Sequence, residues 1–367
     1  MEKIGVIMEV NPFHNGHKYF LEQIKKKNQE AYLICVVTTT VTQRGEITVL
    51  DKKTKTELLL TNGVDLVVEL PLIMANQGGK YYGYYNVKIL AELGIDKLVF
   101  GSESNNLAEL ISQSKQKVLQ KDFQTGYLKA EVGEFKSNDI LGLSYLRAIQ
   151  KINPQIKIEL IQRVSGNYND LQITEVQKAT KICSASIIRK NLAKQEKIKA
   201  YLPKQSLDNL LPEINERKLI EILLFQFLNT TNTEAIFLSE HGQIIRKIKK
   251  KFEELKLSTK LDEHTLDSLA VACADKNNSK YKIKRIFINV IFQITTKEVD
   301  TYLAHVEKYK ILGFSKRYTK ELKGNQKLFA NYKKRDGIYN VNDKVDKILN
   351  LYFQRDFKFN YQKPVIK

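Results

Sequence analysis

Two histidines stand three positions apart, His14 and His17, in the run Asn11-Pro12-Phe13-His14-Asn15-Gly16-His17. At the mouth of a helix that spacing lets both imidazoles face the same side of a loop. Gly16 lets backbone approach a ligand closely. The helix N-terminus adds free N–H groups and a partial positive charge, and a triphosphate fits such a site. A metal is the competing chemistry for a histidine pair, but no Glu-x-x-His and no third ligand lies nearby. Two surface histidines with no role are the plain alternative. Alone, H-x-G-H is a weak pattern, and the elements around it decide its meaning.

Ile4 to Val10 is a short apolar run, interrupted only by Gly5 and Glu9, and Asn11-Pro12 cannot continue its ladder. A buried first strand is expected there. From Lys18 the pattern becomes Tyr19, Phe20, Leu21 and Ile24 against a lysine-rich opposite side, an amphipathic helix running to about Gln29. The alternation continues with a strand at Tyr32–Val37, a helix at Lys53–Thr61 and a strand at Val64–Leu70. A helix at Val87–Leu93 and a strand at Lys97–Phe100 follow, then a helix at Ile140–Ile152 and a strand at Ile156–Ile161. That order predicts an α/β fold with a doubly wound parallel sheet, in which ligands sit at the carboxyl ends of the strands. The loop 11–17 lies at such an end.

Beyond the polar stretch Ser165 to Asp170, strands are expected to cease at about Leu202-Pro203. Leu219–Leu228, Ile244–Leu255, Tyr281–Phe292 and Val345–Phe353 carry helical spacing. Two domains are therefore expected, residues 1–204 and a mainly helical 205–367. The 60 Lys and Arg against 41 Asp and Glu leave a net charge of +19, which favours a polyanionic partner, with nucleic acid foremost. Lysine-rich composition alone is the rival cause. Lys247, Lys249, Lys250 and Lys251 beside Phe252, and Lys280, Lys282, Lys284 and Arg285 beside Tyr281 and Phe287, mix charge and aromatics in a way that suits RNA. A solvated helix face would read the same. Cys35, Cys183 and Cys273 are too scattered for a disulfide framework or a zinc knuckle, and no apolar run approaches the ~20 residues of a membrane span. A cytoplasmic protein is expected. His241, His264 and His305 lack partner spacing and receive no role.

Ordered blocks along the chain resemble the tRNA(Met) cytidine acetate ligase family, a branch of the H-x-G-H nucleotidyltransferases. They are Met8 to His17, Gln43-Arg44-Gly45-Glu46, Gly63 to Pro71, Phe100-Gly101-Ser102-Glu103, Asn138 to Gly142, Arg163-Val164-Ser165 and Ser184 to Arg189. Leu312-Gly313-Phe314 and Asp343 to Tyr352 are similar more faintly. The first domain is then Rossmann-like, with a nucleotidyltransferase sheet. The resemblance implies an ATP site built from Ile7, Met8, Glu9, Val10, Asn11, Pro12, Phe13, His14, Asn15, Gly16, His17, Lys18, Tyr19, Phe20, Gly101, Asn138 and Arg163, with His14 and His17 catalytic. By the same resemblance Ser184 to Arg189, with Ser186 and Arg189, matches the Ser/Thr-x-x-Arg element that closes over phosphates in related enzymes; an N-capped helix with a surface arginine is the plain alternative. Asn138 has a second reading as a helix N-cap, and Arg44 is placed to reach the acceptor side. One departure stands out: the family's usual Met-Ser-Gly-x-Phe-x-Gln-Arg-Gly is here Thr38-Thr39-Thr40-Val41-Thr42-Gln43-Arg44-Gly45.

The reaction so implied is ATP- and acetate-dependent formation of N4-acetylcytidine at the wobble position of elongator tRNA(Met), through acetyl-AMP, with Mg²⁺ beside the phosphates. A small-molecule adenylyltransferase of the pantetheine-phosphate or nicotinate-nucleotide type shares the loop but has no use for a large basic second domain. An RNA-binding protein that retains a nucleotide pocket is the non-enzymatic alternative.

Overall fold

β1 (Lys3–Met8) lies at the middle of the sheet, hydrogen-bonded in parallel to β2 (Tyr32–Thr38) on one side and β4 (Lys97–Ser102) on the other. The structure is a computed structural model and describes residues 1–115, 136–164, 173–212, 215–229, 242–257, 260–331, 340–353 and 363–367. β3 (Leu66–Leu70) extends the sheet beyond β2, and β5 (Lys157–Gln162) extends it beyond β4. The chain thus builds outward from β1 in one direction and then in the other. The reversal falls between β1 and β4, the switch point at which open α/β sheets leave a crevice. Both the loop after β1 and Gly101 in β4 border that crevice.

Helices cover both faces because every inner strand is apolar on both sides; β2 and β3 are buried along their whole length. Asn15–Lys27 buries Leu21 and Ile24, whereas Gly79–Glu92 and Ser137–Ile152 pack together on the opposite layer. The first helix begins three residues earlier than its apolar stripe predicts, so His17 sits inside its first turn.

The expectation that strands end near Pro203 does not hold. β6 (Tyr309–Phe314) pairs antiparallel with β3, and β7 (Leu328–Phe329) and β8 (Val365–Ile366) pair with β6, giving the order β5-β4-β1-β2-β3-β6-β7 with β8 also on β6. The other described residues of 205–367 are mainly helical, as expected. Asp65 fixes the junction: it accepts from Leu33 N–H at 2.9 Å, Ser315 Oγ at 2.7 Å and both arms of Arg317 at 2.6 Å. One hydrophobic cluster runs through both parts, from Ile34, Val36 and Leu66 to Tyr309, Ile311 and the triad Phe227, Phe252 and Phe287. Among the described residues no helix is long and apolar enough to cross a membrane.

Candidate active site

Where β1 ends, Val10 takes φ +52°, a left-handed conformation that costs a β-branched residue strain and must be held by its surroundings. The holding groups are visible. Lys55 Nζ donates to Glu9 O at 2.9 Å and Thr38 O at 2.8 Å, tying the ends of β1 and β2 together. Asn11 Oδ1 accepts from Val49 N–H at 2.8 Å, Asn11 O from Arg189 at 2.8 Å, and Phe13 O from Ser206 Oγ at 2.7 Å. Asn15 Nδ2 donates to Lys181 O at 2.9 Å and Ala200 O at 3.0 Å. Residues 181–206 therefore grip the loop from outside.

His14 is the N-cap of Asn15–Lys27. Its Nδ1 accepts from Gly16 N–H at 3.0 Å, while His17 Nδ1 accepts from His14 N–H at 3.2 Å, a capping box made of two imidazoles. The rings stack with centroids 3.9 Å apart. Gly16 is required here, because a Cβ would come within 2.8 Å of the His14 ring. With Nδ1 an acceptor in each ring, the neutral form carries its proton on Nε2, leaving a donor for a ligand. Burial, then His17 and the arginines 163 and 189, push His14 well below its usual range; burial, then Arg163 and Lys55, lower His17 to about 3. Both rings are neutral at physiological pH.

The pair opens on a cavity of about 1330 Å³. Ile7, Met8, Glu9, Val10, Asn11, His14, Gly16, His17, Tyr19 and Phe20 line it, together with Gly101, Asn138, Arg163 and Arg189. Five expected site residues do not. Phe13 is fully buried in the core beneath the loop, Pro12 is buried, Asn15 is spent on the two carbonyls above, and Lys18 points to Glu22 at 3.9 Å. Ser186 lies 2.9 Å from Ser184 Oγ, and it is Ser184 and Ala185 that face the cavity.

Arg163 lies 3.5 Å from Glu103, which also accepts from Asn138. The N-cap reading of Asn138 is corrected: the helix caps at Lys136, and Asn138 sits inside its first turn with its side chain on Glu103. Arg189 reaches Glu46 at 2.9 Å as well as Asn11 O. Glu46 in turn meets Lys284 at 3.3 Å. Burial acts to raise the Glu46 carboxyl, but Arg189, Lys284 and Arg44 outweigh it and hold it below the usual range.

This chain of charges corrects the expectation for Lys284. Lys284 is buried between Glu46 and Asp267 and braces the 43–46 loop instead of reaching solvent, whereas Arg285 donates to Gln43 O at 3.2 Å and also lines the cavity. Gly45 has φ +71° and packs against their backbone, where a Cβ would meet Arg285 N at 2.7 Å. Arg44 reaches the cavity as expected and lies 5.1 Å from the centre of the Tyr281 ring. The departing Thr38–Thr42 stretch does not line the cavity. Thr39 donates to Glu69 at 2.9 Å and Thr40 to Asp346 at 2.8 Å, the two acids that flank buried Lys52.

Lys55, which ties the ends of β1 and β2 beside the site, is the position most clearly passed over. Its signal was a lysine three and four places before Leu58 and Leu59, on the apolar side of its helix. Tyr281, Lys282 and Asn289 also border the cavity, and nothing local in sequence relates them to it. The polar stretch 165–170 and His241 lie outside the described residues; His264 and His305 lie elsewhere, and His305 Nδ1 faces Thr301 O. Among the described residues no group of three or more His, Cys, Asp or Glu is placed to hold a metal ion.

A family model described as HIGH Nucleotidyl Transferase matches residues 1–362. The tRNA(Met) cytidine acetate ligase of Leuconostoc mesenteroides is 33% identical over 349 residues, 88% of this chain and 87% of that protein. The chain belongs to this family of ligases. The Leuconostoc citreum member is 31% identical, over 89% of this chain and 85% of its own. In fold, the chain is similar to apo Thermotoga maritima TmcAL, at TM-score 0.79 and 22% identity, covering 100% of this chain and 99% of that one. A second structure of that protein, bound with alpha-thio ATP, matches at TM-score 0.76 and 24% identity over the same shares. Membership in the tRNA(Met) cytidine acetate ligase family makes this chain an ATP-dependent ligase with the α/β sheet described above.

Proposed function

We propose that the protein uses ATP and acetate to form N4-acetylcytidine at the wobble position of elongator tRNA(Met), through acetyl-AMP and release of pyrophosphate, in the cytoplasm. The observation that carries this reading is the neutral, stacked His14–His17 pair at a helix N-terminus, opening on a cavity that also holds Arg163 and Arg189. Acetate would attack the α-phosphorus, forming the acyl–phosphate bond as pyrophosphate leaves. Such a reaction needs positioned donors where negative charge develops more than it needs covalent help. His14 Nε2–H, His17 Nε2–H and Arg163 supply them, and the neutral imidazoles donate from Nε2 while Nδ1 goes on accepting the backbone N–H groups that hold the loop. Lys55, Ser206 and Arg189 hold the loop in place before substrate arrives.

Mg²⁺ fits as an ion carried in on the triphosphate, since that ion commonly keeps its waters and takes few protein ligands; it would supply further charge neutralisation. The ATP site is read as Ile7 to Asn11, His14, Gly16, His17, Tyr19 and Phe20 with Gly101, Asn138, Arg163 and Arg189, Ser184 serving in place of Ser186. Residues 1–204 would carry the nucleotide chemistry and 205–367 the contact with tRNA, though Tyr281 and Lys282 bring the second part into the same cavity.

The test is to incubate the protein with ATP, radiolabelled acetate and total tRNA, digest the RNA and look for acetylcytidine. Label in no nucleoside, from protein that binds tRNA, would defeat the substrate assignment.

A further inference from the structure

Transfer of an acetyl group to cytosine needs a base, because the exocyclic amine must lose a proton as it becomes an amide. The cavity-lining groups that could take one near neutral pH are Glu9, His14, His17, Glu46 and Asp300. His14 and His17 spend Nδ1 on backbone N–H groups and carry the proton on Nε2, so both are donors with no lone pair to offer. Glu46 is clamped between Arg189 and Lys284, and an ion-paired carboxylate is a weak base. Asp300 is exposed at the rim. Lys55 has its Nζ committed to two carbonyls.

Glu9 differs from each of these. Its Oε1 is held by Gln43 N–H at 2.7 Å, and among the described residues it has no ion-pair partner and Oε2 has no hydrogen-bond partner. The side chain lines the cavity at the end of β1, two residues before Asn11 and five before His14. We propose that Glu9 is the general base of acetyl transfer, a role that rests on the acetate-ligase reading above. Cytosine N4 attacks the acetyl carbonyl carbon of acetyl-AMP. The N–C bond forms, the bond from that carbon to the phosphate oxygen breaks, AMP leaves with the electron pair, and the N4 proton passes to Glu9 Oε2. The charged groups facing Glu9 are Arg44, Glu46 and Arg189, with Lys55 on its carbonyl and the Tyr82 and Tyr145 hydroxyls within electrostatic reach. Burial raises its carboxyl above the usual range, with the Gln43 N–H and Arg44 pulling the other way. A raised carboxyl is a stronger base and brings its titration closer to working pH.

The experiment gives wild type, Glu9→Gln and Glu9→Asp chemically prepared acetyl-AMP and tRNA(Met), and follows acetylcytidine in a single turnover from about pH 4.5, near the ordinary carboxyl range, to about pH 8.5. Gln keeps an acceptor for Gln43 N–H, so the loop stays pinned. Glu9→Gln is expected to transfer roughly 100-fold more slowly or worse. The wild-type rate should fall as pH drops through the Glu9 titration, and that acid limb should vanish in Glu9→Gln and persist in Glu9→Asp. A Glu9→Gln protein that transfers as fast as wild type, or keeps the limb, overturns the proposal. So does one whose acetate-dependent ATP–pyrophosphate exchange falls by as much as its transfer, because Glu9 would then serve only to shape the nucleotide loop. Wild-type protein that makes no acetylcytidine from acetyl-AMP defeats the acetate-ligase reading itself and this base with it.

Discussion

Acid should loosen this protein through its two neutral histidines, buried His14 and half-buried His17, and His17 allows the size of the effect to be worked out. In the unfolded chain the imidazole titrates at its ordinary 6.5; in the fold it is lowered to about 3. Between those values the unfolded state binds the extra proton, so stability rises with pH across the window. The contribution is complete above pH 6.5 and is lost as pH falls toward the folded value. At pH 5.5 the unfolded side chain is about nine-tenths protonated, which corresponds to about 1.4 kcal/mol lost relative to pH 7.5. The ring faces an open cavity, and water there trims the figure to about 1 kcal/mol. His17→Asn keeps an acceptor for His14 N–H but cannot titrate. Urea unfolding of both proteins at the two pH values should therefore show wild type losing about 1 kcal/mol more than the variant. Parallel losses would mean that His17 is solvated or already charged, and the neutral-donor role assigned to it would fall.

Lys55→Met preserves length and apolar bulk but strands the Glu9 and Thr38 carbonyls; a stability loss of about 1–3 kcal/mol in urea is expected, with acetate-dependent ATP–pyrophosphate exchange falling further than stability alone explains. Asp65→Ala removes the acceptor shared by Leu33, Ser315 and Arg317 and should cost about 3 kcal/mol; a loss under about 1 kcal/mol would show that β6 is held by its apolar side chains instead. On Gly242–Glu254, where Lys247 and Lys250 are exposed and Lys249 and Lys251 half-buried, the combined Lys247→Gln, Lys249→Gln, Lys250→Gln and Lys251→Gln variant should lower the salt slope of tRNA binding by about one unit for each phosphate no longer neutralised, while leaving preference among tRNAs intact. An unchanged slope in filter-binding titrations would take that face out of the RNA interface.

Much of residues 1–204 could be read directly. The apolar run at β1, the breaker Asn11-Pro12 and the amphipathic stripe after it are local signals, and each reports on neighbours within a few residues. They placed His14 and His17 at a helix mouth beside the strand end, and the sheet bears that out. The basic helices of 205–367 were found for the same reason, from their 3.6-residue period.

β6 escaped because Tyr309–Phe314 is short and holds Lys310 and Gly313, which read as surface and breaker. In the fold Lys310 is 3% exposed, beside Glu69 and near Asp343 and Asp346. The same limit explains Glu46, Lys284 and Arg285. The Glu46–Lys284 pair joins residues 238 positions apart, and no periodicity carries information over that span. A run of lysine, aromatic and arginine on one helix looks like an RNA face until the opposing loop is in place. Tertiary structure alone decided which of its charges are buried braces and which reach solvent. The loop that carries His14 and His17 was legible from residue types alone because it is contiguous; the cavity opposite it is assembled from residues 43–46, 76–85, 138–163 and 279–303, and only packing brings those together.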